Sequence, residues 1–251
     1  SEKVNLGLGY GYSGGFTKYC RIPGEILAIH KRAIWEIPEG LEYEEAAVMD
    51  PICNAYKAIA QRSGLLPGEN VVIFGTGPLG LFSVQIAKIM GALNIVVVGL
   101  EEDVKVRFGV ARQLGATEVV NGSAEDVVKR CQEICGGSDS IGLVVDCAGA
   151  NICLKQAIEM VRCNGEIVRV GMGFKPVGFS INDISMKAVS IIGHMAYDAT
   201  SWRNSLQLLA AGRIQVKPMI THRLGLSRWE EGFEAMADKE AIKVILTYDF
   251  D

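Results

Sequence analysis

The stretch VVIFGTGPLGLFSVQIAKIMGA, residues 71–92, constrains the fold of this chain more than any other part of it. A short β-branched run ends in Gly75-x-Gly77-x-x-Gly80, and a segment of helical period follows at once. In this arrangement Gly75 permits a tight turn, Gly77 lets backbone approach a diphosphate, and Gly80 allows close helix-to-strand packing. The helix amino terminus then offers its free N–H groups to the anion. Thr76, Pro78 and Leu79 complete the candidate phosphate loop. Three glycines at this spacing are weak alone; the order strand, loop, helix, second strand makes them specific.

That order repeats. From Asn70 to His194 the sequence alternates short β-branched runs with longer helical segments, the rhythm of βαβ units around a parallel sheet. Six strands are expected, at 71–74, 95–98, 118–120, 143–147, 166–170 and 190–194, with helices at 79–90, 103–114, 124–135 and 152–161. The fold class is therefore α/β, a doubly wound parallel-sheet Rossmann domain. The flanks lack this rhythm. Residues 1–45 are rich in Gly, Tyr and Pro with a strand-like piece at 16–22. The far end reads as a helix near 201–211, a strand-like run at 216–223, a helix near 229–237 and a strand at 243–248. The expected division is 1–50, 51–200 and 201–251, with the two flanks joining in a second domain.

No run approaches the about 18 apolar residues of a membrane span, and the amino terminus has no basic region leading into an apolar one, which predicts a cytoplasmic protein. The net charge of −4 is spread without blocks, which argues against a nucleic-acid surface and for small-molecule chemistry. The seven cysteines contain no C-x-x-C pair that would hold structural zinc and read as mostly buried free thiols.

A dinucleotide site of the NAD type places an acidic residue about 20 positions beyond the glycine loop, on the adenosine ribose. The corresponding position is Gly99, which has no carboxylate, but Glu101, Glu102 and Asp103 follow. A carboxylate such as Glu101 can reach the ribose from a longer loop, and three negative charges oppose a 2′-phosphate. NAD is expected over NADP, while Lys105 and Arg107 keep NADP open as a phosphate partner.

GGFTKYCRIP, IPEGLEYEEAAVMDP, LPGENVVIFGTGPLG, the Asp146–Gly149 string DCAG, NGEIVRVGMG, VKPMITHRLGL and KVILTYD together resemble the medium-chain zinc-type alcohol dehydrogenases, in their sorbitol and threonine dehydrogenase branch. The resemblance runs over nearly the whole chain. It implies that the flanks are remnants of a GroES-like β-rich catalytic domain. Val170, Gly171 and Met172 would line the nicotinamide, backbone at Gly193, His194 and Met195 would hold its carboxamide, and Cys147 and Ala148 would pass the adenosine side. Lys243 falls where the family often has an arginine on the cofactor diphosphate, with charge but no bidentate fork. Asp50, in VMDP, stands where this branch has a glutamate at or near the catalytic zinc; its plain alternative is a helix-ending Asp before Pro51. His30 and His222 match no ligand motif and read as surface or structural histidines.

In this family zinc holds an alcohol as alkoxide while hydride passes to nicotinamide, and it needs three protein ligands and an open position. The early cysteine and Gly-His-Glu segment that supply them do not occur in this sequence, and the resemblance places about the first hundred residues of the catalytic domain outside it. The leading expectation is an oxidoreductase, or a truncated form of one, moving hydride between NAD(P) and a secondary alcohol, polyol or amino alcohol. The alternatives are a catalytically inactive nucleotide-binding module and a zinc-independent reductase of the same superfamily. The sixth strand would be an exposed edge, which predicts a homodimer or homotetramer.

Overall fold

The computed structural model describes residues 7–29 and 33–249, which divide by their contacts into two units, Glu45–Met219 and the flanks Ser1–Glu44 with Ile220–Asp251. In chain order the helices are α1 (Gly24–Ile29), α2 (Tyr43–Ala46), α3 (Met49–Tyr56), α4 (Pro78–Ile89), α5 (Arg107–Leu114), α6 (Val127–Cys135), α7 (Asn151–Met160), α8 (Ile181–Ser185), α9 (Ala199–Ala210) and α10 (Trp229–Ala237). The strands are β1 (Asn70–Phe74), β2 (Ile95–Gly99), β3 (Glu118–Asn121), β4 (Ile141–Asp146), β5 (Glu166–Arg169), β6 (Ser190–Gly193), β7 (Ile220–Gly225) and β8 (Lys243–Thr247).

In the larger unit six parallel strands run in the order β3-β2-β1-β4-β5-β6. The register pairs Val71 with Ile95 on one side of β1 and with Leu143 on the other. Every residue of β1, β2 and β4 is buried, as expected of central strands covered by helices on both faces. Side chains alternate between those faces. Val72, Phe74, Val96, Val98 and Val144 join a core with Val127 and Cys131 of α6 and with Leu154 and Ile158 of α7. Val71, Ile73, Val97 and Val145, all fully buried, supply the opposite face. Chain direction across the sheet reverses between β1 and β4, and the crevice at the carboxyl ends of these two strands is where such sheets bind ligands.

The expected strands of this sheet occur at their expected places, and local chemistry sets the helix ends. Asp126 accepts from Lys129 N and starts α6 three residues later than periodicity suggests, and left-handed Gly136 ends it. Asp198 and Ser201 form a reciprocal cap on α9.

Three expectations need correction. Residues 16–22 form bends and irregular backbone, with no strand partner among the described residues. The run at 216–223 is split, because Pro218 sits in a 3-10 turn, Lys217–Met219, before β7 begins. The return segment starts at Ile220 and not at residue 201. Helix α9 packs on α3, Leu206, Leu209, Ile214 and Val216 are buried, and the side-chain amide of Gln85 on α4 exchanges two hydrogen bonds with the backbone of Gln215, at 2.9 and 2.7 Å. Apolar burial and this amide pair hold 201–219 in the larger unit.

The smaller unit has a two-stranded parallel ribbon of β7 and β8, against which α10 packs. Phe233 of α10 meets Phe16 and Trp229 edge-on, with ring centroids 6.4 and 5.6 Å apart. Arg223 of β7 forms a forked pair with Glu44, at 2.7 and 2.8 Å.

Candidate functional site

The glycine loop leaves β1 with Gly75 at φ +103°, where an L side chain is strained, and the Gly75 amide donates to Val98 O at 2.9 Å. At Gly80, in the first turn of α4, a methyl group would be driven into the Gly75 carbonyl oxygen and stand 2.9 Å from its carbon, so helix and turn touch backbone to backbone. Gly77 is the extended N-cap of α4, and a Cβ there would meet nothing within 4 Å. The chain therefore leaves open space beside the first-turn amides of a 12-residue helix. Pro78 takes the first helical position, where its missing N–H is no loss, and Leu79 O accepts from Ser83 Oγ at 2.9 Å. Thr76 is buried. Gly75, Thr76, Gly77, Pro78, Leu79 and Gly80 thus form one cradle at the switch point of the sheet.

The loops after β4 and β5 close the next side of the crevice. Asp146, the last residue of β4, has no exposed surface; its Oδ1 accepts from the amides of Ala148 and Gly149 at 3.1 and 2.8 Å, and its Oδ2 meets Arg169 Nη1 at 2.8 Å. Arg169 also donates to Gly149 O at 2.8 Å. Burial raises the Asp146 carboxyl above its ordinary value, and the amides and guanidinium offset part of that. Val170 and Gly171 donate to Asp146 O at 2.9 and 2.7 Å. Gly149, at φ +74°, then crosses Gly171–Gly173 so closely that a methyl on Gly149 would lie 2.5 Å from Met172 O. Cys147 shares a 3.6 Å contact with Ser83 Oγ, and burial pushes its thiol up to about 12, which disfavours the thiolate. Met172 is exposed.

At the end of β6, Gly193, His194 and Met195 meet α3 and the π-helical turn Lys57–Arg62 that continues it. Arg62 Nη2 donates to Gly193 O at 3.2 Å, Lys57 Nζ to Met195 O at 3.4 Å, and His194 Nε2 lies 3.0 Å from Asn54 Oδ1. Asn54 Nδ2 donates to Asp50 O and Oδ1 at 3.0 and 3.2 Å, which turns its oxygen toward His194 and makes Nε2 the protonated ring nitrogen. Burial, then Lys57 and Arg62, lower the His194 pKa below 6.5. Between 6.5 and that lower value the unfolded chain takes up a proton that the folded chain refuses, so stability declines as pH falls through this window. Urea unfolding of a His194→Asn variant at several pH values is expected to show a shallower acid-side decline than the parent; parallel curves would remove His194 from the account.

At the far end of the crevice, the residue at the usual acidic position is Gly99 for a packing reason. A methyl there would stand 2.5 Å from the Phe108 ring, 2.8 Å from Asp103 Oδ2 and 2.8 Å from Thr76 Cγ2. Asp103 is buried; it accepts from Leu100 N at 2.8 Å and meets Arg107 at 3.3 Å, so Arg107 is turned onto an internal carboxylate. Glu101 is exposed and held by Asn121 Nδ2 and, through its backbone N–H, by Ser123 Oγ at 3.1 Å. Asn121, Ser123, Asn54, Lys57 and Arg62 were not legible as site residues, because each acts across a sequence gap that no local pattern marks.

Asp50 is exposed in the first turn of α3, so Asp50-Pro51 opens a helix where a helix end was the plain expectation. Lys243 opens β8 in the smaller unit, and His222 Nδ1 lies 3.0 Å from Thr221 Oγ1; His30 falls outside the described residues. Four of the seven cysteines are buried, Cys147 is half-buried, Cys20 and Cys163 are exposed, and all are free. Among the described residues no three His, Cys, Asp or Glu side chains cluster as metal ligands would, so the zinc the resemblance implies does not fit them. No helix among the described residues is long and apolar enough to cross a membrane.

The zinc-binding dehydrogenase family profile matches residues 78–211. The zinc-type alcohol dehydrogenase-like protein YdjL of Escherichia coli K12 is 72% identical over 100% of this chain and 70% of its own length. Sorbitol dehydrogenase of Halalkalibacterium halodurans is 30% identical over 96% of this chain and 67% of its own. A zinc-binding dehydrogenase of Sinorhizobium meliloti 1021, solved bound to NADP, superposes with TM-score 0.81 at 25% identity, covering 95% of this chain and 67% of that one. With more than half its residues in the family profile and its whole length matched by a close relative, the chain belongs to the medium-chain zinc-type alcohol dehydrogenases, and it is an oxidoreductase of the α/β Rossmann class.

Proposed function

We propose that this chain binds NAD in the crevice between β1 and β4 and serves hydride transfer to or from a secondary alcohol, polyol or amino alcohol. The observation that carries the reading is the glycine cradle: left-handed Gly75, Gly80 pressed on the Gly75 carbonyl, and open space beyond Gly77 at a helix amino terminus. The first turn of α4 would hold the diphosphate. Val170, Gly171 and Met172 would line the nicotinamide, the backbone at Gly193, His194 and Met195 would hold its carboxamide, and Cys147 and Ala148 would border the adenosine side. When bound, the nicotinamide accepts or donates the hydride. No step is assigned to zinc, and Asp50 is the one position proposed near a metal.

NAD is proposed over NADP because the exposed group braced at the β2 end is Glu101, held by Asn121, while Arg107 faces Asp103. A carboxylate can accept from ribose hydroxyls and repels a 2′-phosphate. Titration calorimetry is expected to show NADH binding at least about tenfold tighter than NADPH, a gap one charge-assisted hydrogen bond can supply. A preference for NADPH would overturn this assignment, and heat from neither would remove the cofactor reading.

A second reading is a nucleotide-binding module without turnover. Binding of NADH with no alcohol-dependent reduction in zinc-supplemented buffer supports it. We also place the protein in the cytoplasm as a homodimer or homotetramer. Strand β6 ends the sheet with Ser190, Ile191 and Gly193 exposed, an edge that a second copy would cover; sedimentation as a stable monomer counts against this.

A further inference from the structure

We infer that α3 and its π-helical extension form a brace in which Asn54, Lys57 and Arg62 position the backbone of residues 193–195. The inference rests on the reading above, that this backbone receives the nicotinamide end of the cofactor.

Three consecutive residues are each held by a different side chain of one helical segment: Gly193 by Arg62, His194 by Asn54, Met195 by Lys57. The gaps in sequence are 131, 140 and 138 residues, so the contacts belong to the tertiary fold and not to any local turn. The helix is built for the task. In an α-helix, residues five apart point about 140° away from each other, since each advances about 100°. A π-helical turn bonds i to i+5 and brings such residues onto one side. Lys57 and Arg62, at the two ends of the π-helical turn, are five apart, and both reach the same short segment. The Asn54 amide nitrogen faces Asp50, donating to its O and Oδ1, so the amide oxygen is the atom presented to His194.

The chemistry of the grip is matched to a backbone target. Two cations donate to carbonyl oxygens at alternate residues, 193 and 195. The intervening residue is held through its side chain, which leaves the His194 backbone carbonyl unclaimed by the brace. His194 Nδ1 is buried with no hydrogen-bond partner, so the ring is fixed from one side, by Asn54 alone. Asn54, Lys57 and Arg62 are positioning residues, for they touch the segment and not the reacting atoms.

The test compares NADH with ADP-ribose, which carries the adenosine and diphosphate but no nicotinamide, on the whole chain by calorimetry. Asn54→Ala is expected to weaken NADH about tenfold, and the more exposed Arg62→Ala about threefold, the scale of one lost hydrogen bond near a charged group. ADP-ribose affinity is expected to stay within about twofold of the parent, and Arg62→Lys, which keeps a donor, to recover most of the loss. If the variants keep the parent's ratio of NADH to ADP-ribose affinity, or lose both ligands alike, the brace is wrong. If the parent itself binds NADH no more tightly than ADP-ribose, the underlying reading of 193–195 fails instead, and the two failures are told apart by the parent alone.

Discussion

Gly171→Ala is expected to abolish measurable NADH binding and to lower stability by about 3 kcal/mol, at the upper end of what overpacking costs. A methyl group at Gly171 would overlap the Gly149 amide nitrogen and lie 2.7 Å from the carbonyl carbon of Ala148 and 2.8 Å from that of Cys147. All three atoms are backbone, so no side chain can swing aside. The loop cannot simply retreat either, because Gly171 N and Val170 N are bonded to Asp146 O and Gly149 N is bonded to Asp146 Oδ1. Relief requires the β4 loop to part from the β5 loop, and these loops flank the crevice assigned to the cofactor. Urea unfolding together with calorimetry checks both halves. A variant with parental stability and NADH affinity would mean that the two loops separate freely.

The second large effect concerns Asp146. Asp146→Ala leaves Arg169, only 19% exposed in its side chain, without its counter-charge and frees two amides from their acceptor. Breaking such a pair from one side costs about 3 kcal/mol or more, since the stranded charge remains desolvated. The double variant Asp146→Ala with Arg169→Met is expected to recover part of that loss, because it removes the stranded charge. Equal stability of single and double variants would show that the amide bonds, and not the ion pair, carry the effect. Affinity for NADH is expected to fall in both, because the turn 147–149 loses its anchor.

What could be read from the sequence follows from how each feature is encoded. The sheet was legible because central parallel strands are buried on both faces and so appear as unbroken runs such as VVIF, IVVV and GLVVD. The cradle was legible because its three glycines answer to backbone constraints within six residues. The run at 16–22 misled because β-branched and aromatic residues there follow Gly14-Gly15 and find no partner strand. The boundary at 219 was invisible because contacts that hold the preceding segment, such as Gln85 with Gln215, span as many as 130 residues. For the same reason DCAG and IVRVG could each be quoted without showing that Asp146 and Arg169 face one another. Gly99 read as a missing carboxylate, where the structure shows a position that the Phe108 ring, Asp103 and Thr76 leave no room to fill.

The amide of Gln85 imitates a peptide group, offering one donor and one acceptor to a single backbone residue. Glutamate has nearly the same outline but two acceptors, so at this site a change invisible to shape would set an oxygen against the Gln215 carbonyl. The Gln85–Gln215 contact thus rests on a distinction of one hydrogen pair, and a mutational screen that ranks substitutions by volume or similarity would pass over it.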